Sequence, residues 1–548
     1  MRTTRIAKWT LFGATLFALG MSGCGSDDED SGGGAGTGGS GATGGTGGMG
    51  GTGGMGGTGG TGATGGTGAT GGTGATGGTG ATGGTGGAAG SAGSPPVPDA
   101  QIRVVHASPT APAVDIYPAG SDTVLFEGLA YGKATEYAVL PEGTYSLDIR
   151  IAGSPAASDP VLTIEDIALE GDKTYTAVAA GDVFSTDAED SFRVLPLEEG
   201  FADAGTAARV RIVHAGYDAP TVDLDVGNDD PSMPEVSGFA RFADTGAEGV
   251  ELPTGEVLQV GIAAGGSTVT AFSTPPLAAG TEAFIIATGL LSKAPREDQG
   301  FALLAVLPSS DTLWLKQNPF VYALHASPDA PPVDIYAGDA ELVDNAAFGD
   351  LARIQVPPGS YTLEFFAGAA GATPKPAGDP AASADTPALE AGGTYLAVAG
   401  GLLGGTGAKA FQLIPIVEGF DDPAADSAVL RVMHGSPDTP AVDIGTVTTE
   451  GTLDANPPIT NVAFPDVTDE AGLALPASSL TLGVAVTGTT ATVAEFDVTL
   501  ADGNRLFAIA AGLLTPGTGQ PPLQLLVIDA SSKSILSPWT IGSLAPNP

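Results

Sequence analysis

The chain contains four histidines, and each of them opens the same pattern, H-x5-P-x-V-D-[IL]. His106, Pro112 and Asp115 recur as His214, Pro220 and Asp223, as His325, Pro331 and Asp334, and as His434, Pro440 and Asp443. An imidazole paired with a carboxylate is the base-and-orienter half of a nucleophilic triad. The nucleophile is missing. The serine two residues after the His (Ser108, Ser327, Ser436) is Gly216 in the second copy, and the folded part has no G-x-S-x-G elbow. A zinc site needs three or four ligands, whereas each copy offers one His and no Cys. The twelve motif residues are therefore expected to be structural rather than catalytic, with no metal and no cofactor. "DLDVGNDD" (223–230) groups oxygen ligands of the kind calcium accepts, but fits no EF-hand loop and occurs once, so a solvated acidic loop is expected.

The elements that would position such a pair follow from the same residues. The proline breaks strand pairing and forces a bend. After it, Val114 and Ile116 alternate with Asp115 and Tyr117, which puts the apolar pair on one face of a strand and the Asp on the other. Two strands joined by a proline-pinned loop result, His ending one and Asp starting the next. The Asp there can accept hydrogen bonds from loop N–H groups or from the imidazole. The residue three before the His is Arg103, Arg211 and Arg431, but Tyr322 in the third copy; an arginine there could pair with a carboxylate.

Further landmarks recur in phase with the histidines. A turn such as "LPEGTYSLDI" (140–149) is matched by "VPPGSYTLEF" (356–365), and "KTYTAVAAG" (173–181) by "EAFIIATG", "GTYLAVAG" and "NRLFAIAAG". About seven short strands per copy, with turn signals between them and no helical periodicity, predict an all-β chain of four tandem immunoglobulin-like antiparallel β-sandwiches. The expected boundaries are 98–204, 205–315, 316–425 and 426–535, followed by a tail at 536–548. Short joints predict a semi-rigid string.

The run "RVVHASPTAPAVDIY", then "LPEGTYSLDI", then "KTYTAVAAG", resembles the bacterial domain of unknown function 4397 (DUF4397) family. The resemblance covers nearly all of 98–531 and is strongest in the first and third copies. It implies secreted or surface-anchored proteins with tandem domains, and it transfers no catalytic residue.

Residues 1–23 read as an export signal: Arg2, Arg5 and Lys8, then the apolar "TLFGATLFALGM", too short to span a bilayer. Small residues and the single cysteine, Cys24, follow, which resembles a bacterial lipoprotein signal with Cys24 as the lipidated residue. Gly25 rather than Asp at the next position is similar to the outer-membrane sorting pattern, and the acidic cluster at 27–30 resembles a surface-export tag as well as a plain solvated run. Residues 24–97 form a low-complexity tract with glycine at every third position from Gly38 onward. That is collagen spacing, but the repeats contain no proline, so a flexible Gly/Thr tether is expected. As a coil it would reach about 45–50 Å.

The formal net charge is −42, from 62 acidic and 20 basic side chains. This field repels phosphate backbones, which argues against nucleic acid as a partner. It also leaves a lipid on Cys24 as the membrane link. The sequence thus suggests a non-enzymatic surface lipoprotein displaying sandwiches for adhesion, matrix or ligand binding, to carbohydrate or protein. A purely structural spacer and an envelope enzyme using the His–Asp pair are its rivals.

Overall fold

The computed structural model describes residues 97–548 apart from 156, 228–232, 370 and 372–373. The signal, Cys24 and the tether lie outside the described residues, as does part of the acidic loop at 223–230. The described residues fall in one compact unit.

Each copy is a sandwich of two sheets. In the first, β1 (Asp99–His106), β4 (Ala138–Pro141), β7 (Thr174–Ala180) and β8 (Arg193–Glu198) form one sheet in the order β4-β1-β7-β8. The other sheet holds β2 (Val114–Pro118), β3 (Phe126–Leu129), β5 (Gly143–Ile151) and β6 (Leu162–Leu169), in the order β3-β2-β5-β6. The same two orders return in the other three copies.

Two details differ from the expectation. Pairing is antiparallel except between β1 and β7, which run parallel, as do their counterparts in every copy. Eight strands build each sandwich rather than about seven, to which the fourth copy adds a short strand, Thr452–Leu453, beside β2's counterpart, and the second and fourth copies add another at the free edge of β8's counterpart. These are Thr312–Leu315 and Thr540–Leu544. The latter lies in 536–548, the stretch expected to be a tail.

Alternation along β1 and β7 puts apolar residues on both faces of these strands. Ile102, Val104 and Ala177 face inward and join Val114, Ile116 and Ile149 in the core of the first sandwich. Val105, Val178 and Ala180 face outward, yet they are also buried, against Val213, Phe284 and Ile286 of the second copy. A sheet covered on both faces cannot alternate apolar with polar residues.

The third and fourth copies meet in the same way. Leu324, Leu396 and Val398 pack on Met433, Phe507 and Ile509. The four sandwiches are therefore two face-to-face pairs, first with second and third with fourth, rather than beads on a string. Short joints permit this because the outward faces are themselves hydrophobic. The middle joint is also held: buried Asn318 donates from Nδ2 to Gln259 at 2.9 Å, and its carbonyl accepts from Gln355 at 2.9 Å.

The residue three before each histidine sits in these paired faces. Buried Arg103 donates to Thr176 Oγ1 at 2.8 Å and to the Leu307 carbonyl of the second copy at 2.6 Å. Arg211 reaches back to the Glu198 carbonyl, and Arg431 to that of Val417, both at 2.6 Å. Where the third copy has Tyr322, the ring stacks on Trp539 with centroids 4.1 Å apart. Carboxylate pairing is present as well: Arg211 Nε donates to Asp244 Oδ1 at 2.7 Å, and Arg103 lies 3.7 Å from Glu199. Their common task is to carry hydrogen bonds or rings from one sandwich to the next.

Candidate functional site

The motif histidine ends β1 or its counterpart on the inward face, and the loop that follows returns at the proline. In each copy the imidazole Nε2 lies 3.0–3.1 Å from the carbonyl of that proline, Pro112, Pro220, Pro331 or Pro440. A carbonyl only accepts, so Nε2 carries the proton and the ring staples the two ends of the loop. Among the described residues no partner meets Nδ1 in any of the four rings, and the rings are 1–3% exposed. Burial holds each imidazole below its ordinary pKa, opposed by the hydrogen bond to the proline carbonyl. The neutral form results, with one nitrogen occupied and the other sealed from solvent.

A pH dependence follows from this. As pH falls below 6.5 the unfolded chain takes up protons that the folded rings resist, so stability drops from about pH 6.5 down to the folded pKa and is unaffected above it. Each unit of depression corresponds to about 1.4 kcal/mol per ring. Replacing all four histidines with glutamine, which retains a donor, is expected to flatten the fall in unfolding midpoint between pH 7 and 5. A profile identical to wild type would contradict a buried neutral ring.

The aspartate has a different partner. Asp115 stands opposite a bulge: Val114 pairs with Leu129 and Ile116 with Phe126, so two residues of β3 face one of β2. The second of those two, Gly128, has φ +64°, and its N–H donates to Asp115 Oδ1 at 2.7 Å. The arrangement is repeated by Gly238 on Asp223 (2.7 Å), Asn345 on Asp334 (2.7 Å) and Asn461 on Asp443 (2.8 Å). All four donors lie at φ between 50° and 64°, where glycine and asparagine are the residues that fit at low cost. In three copies the other carboxylate oxygen accepts a second backbone N–H, from Gly153 (3.0 Å), Ala369 (3.2 Å) or Gly488 (3.1 Å). Hydrogen bonds, that of Asn461 foremost, hold the Asp443 carboxyl below its ordinary pKa.

Of the two partners considered for the aspartate, the loop N–H is therefore the one it has. Among the described residues no hydrogen bond joins a motif histidine to its aspartate. They are two separate staples, one on the β1–β2 loop and one on the β3 bulge.

The serine after the histidine is a third. Ser108 Oγ donates to the Gly181 carbonyl at 2.6 Å and Ser327 Oγ to that of Gly401 at 2.8 Å; Ser436 instead meets Asp438 and Thr439. The glycine that follows β7 is required twice over. Gly181 has φ +90°, and a Cβ there would lie 2.4 Å from the Ser191 carbonyl oxygen.

The loop after β7 is also capped from the motif. Asp329 Oδ1 accepts from the Leu403 N–H, and Asp438 from those of Leu514 and Thr515, all at 2.8–2.9 Å. The residue four after the histidine thus has a capping role that the H-x5-P-x-V-D pattern does not include; its sequence signal is the aspartate in "HAGYD", "HASPD" and "HGSPD". At the tips of these loops Phe184, Leu403 and Leu514 are exposed, Phe184 by 78%.

One group of carboxylates lies close enough to share a cation: oxygens of Asp334, Glu341 and Asp344 fall within 4.8 Å of one another. Its most buried member already accepts two backbone N–H groups.

Residues 100–225 and 319–445 each match the family described as "Domain of unknown function (DUF4397)". Each match runs through one odd-numbered copy into the opening strands of its packed partner, so all four His–Asp motifs lie inside. No curated protein matches the chain. Among solved structures, the Bacillus anthracis TIE protein aligns at 11% identity over 73% of this chain and 68% of that one. Its TM-score is 0.13, a value that carries no inference about fold or role.

Proposed function

We propose that this chain, which carries tandem DUF4397 domains, is an exported lipoprotein anchored through Cys24 at the outer membrane. There it presents two rigid pairs of sandwiches for non-enzymatic binding of carbohydrate or protein. One observation carries the reading: the repeated polar residues are bonded to backbone. What recurs is framework, and the variable loops are left for recognition. The exposed Phe184, Leu403 and Leu514 lie in such loops beside the motif. A base-and-orienter role for the His–Asp pair is disfavoured because the two do not meet and the neighbouring serine donates elsewhere. The high negative charge argues against nucleic acid.

A spacer is the second reading, favoured by the doubly covered sheets, which make stiff units. Two measurements test the proposal. Cells expressing the full chain and fed an alkyne fatty acid should label it, and Cys24→Ala should abolish the label; labelling of that variant would refute the anchor. A glycan and matrix-protein array should give hits that Phe184→Ser weakens at least tenfold, whereas an empty array leaves the spacer.

A further inference from the structure

Where the second, third and fourth copies meet, the sign of the charge reverses. Lys293, Arg296, Lys316, Arg353, Arg505 and Lys533 converge there, against Glu297, Asp298, Glu418 and Asp422. Over the whole chain acids outnumber bases threefold. A cavity of ≈ 30 Å³ opens among them, lined by Arg353, Arg505, Lys533, Glu418, Tyr322 and Trp539 in part. It has room for one or two waters or one small ion.

The cations around it are unequally satisfied. Glu418, 5% exposed, bridges Arg296 (2.9 Å) and Arg505 (3.4 Å), and Lys533 pairs with Glu297 (2.9 Å) and Asp422 (2.5 Å). Arg353 alone of the lining cations has no carboxylate among the described residues. Its Nη2 donates to the Ile535 carbonyl at 2.9 Å, its plane covers Phe320 at 4.1 Å, and its Nε is buried without a partner. Leaving a guanidinium unpaired in a half-buried site is costly, and in a chain with 62 carboxylates it is not for want of acids.

We infer that this cavity is a binding site for one halide-sized monovalent anion, held by Arg353 with Lys533 and Arg505, which ties the third sandwich to the fourth at the edge where the second meets them. The apolar walls from Tyr322 and Trp539 suit a weakly hydrated anion, and the volume excludes larger ones.

Chlorine-35 nuclear magnetic resonance on the full chain tests this. Wild type should broaden the chloride line in excess of bulk, and added bromide should remove the excess saturably. Arg353→Gln should cut it at least fivefold while circular dichroism stays unchanged; if that variant does not fold, Lys533→Met serves in its place. No excess broadening in wild type, or equal broadening in a folded variant, overturns the site.

Discussion

Cut free from its neighbour, the third copy (residues 316–425) is expected to keep its strands and lose its solubility. Tyr322, Leu324, Leu396, Val398, Ile414, Ile416 and Phe420 are buried in the native chain by the fourth copy, and all would face water. A side chain of this kind contributes about 1.5–3 kcal/mol when fully buried. Their sum is comparable with the entire 5–15 kcal/mol of a typical domain. A patch of that size on a lone sandwich drives association. The fragment 316–548, which keeps the pair intact, should run as a monomer by size-exclusion chromatography with light scattering, while 316–425 should self-associate and bind an apolar dye. A monodisperse, dye-negative 316–425 with the unfolding midpoint of the longer fragment would refute the paired unit.

That unit is where the sequence was only half readable. The His at the end of β1, the bend at Pro112 and the inward Val114 and Ile116 follow from residue type and period alone, because they depend on contacts within a few residues. The outward residues of β1 and β7 are apolar for a reason that lies more than a hundred positions away, and no local pattern names the partner. A trace of it is nevertheless written at the joints. Glu-Gly-Phe follows β8 and its counterpart only after the first and third copies, as Glu199–Phe201 and Glu418–Phe420. Phe201 packs edge-on to Phe284 and Phe420 to Phe507, at centroid distances of 5.5 and 4.6 Å. Read as a two-domain period, that signal distinguishes pairs from a string. The undercount of strands has a local cause: the bulge in β3 breaks the alternation by which a strand is recognised.

The same bulge yields the second large effect, and it differs between copies. Replacing Asp334, which is fully buried, with alanine is expected to cost about 2–4 kcal/mol, because the partly buried N–H of Asn345 loses its acceptor at about 1–3 kcal/mol and that of the more exposed Ala369 loses its acceptor at a smaller cost. Asp223→Ala should cost about 1–2 kcal/mol, since Asp223 is partly exposed and serves the Gly238 N–H alone among the described residues. Were the pair instead a base and its orienter, both variants would leave the fold intact and differ in chemistry only. Hydrogen exchange over peptides covering 340–370 and 234–245 separates the two accounts, because opening of a bulge is a local event. Exchange in the third copy should accelerate by more than tenfold, and in the second by a smaller factor. Equal protection in wild type and Asp334→Ala would mean that four bulges hold their shape without the carboxylate that meets them. The reason for an aspartate at that position would then have to be sought in a ligand.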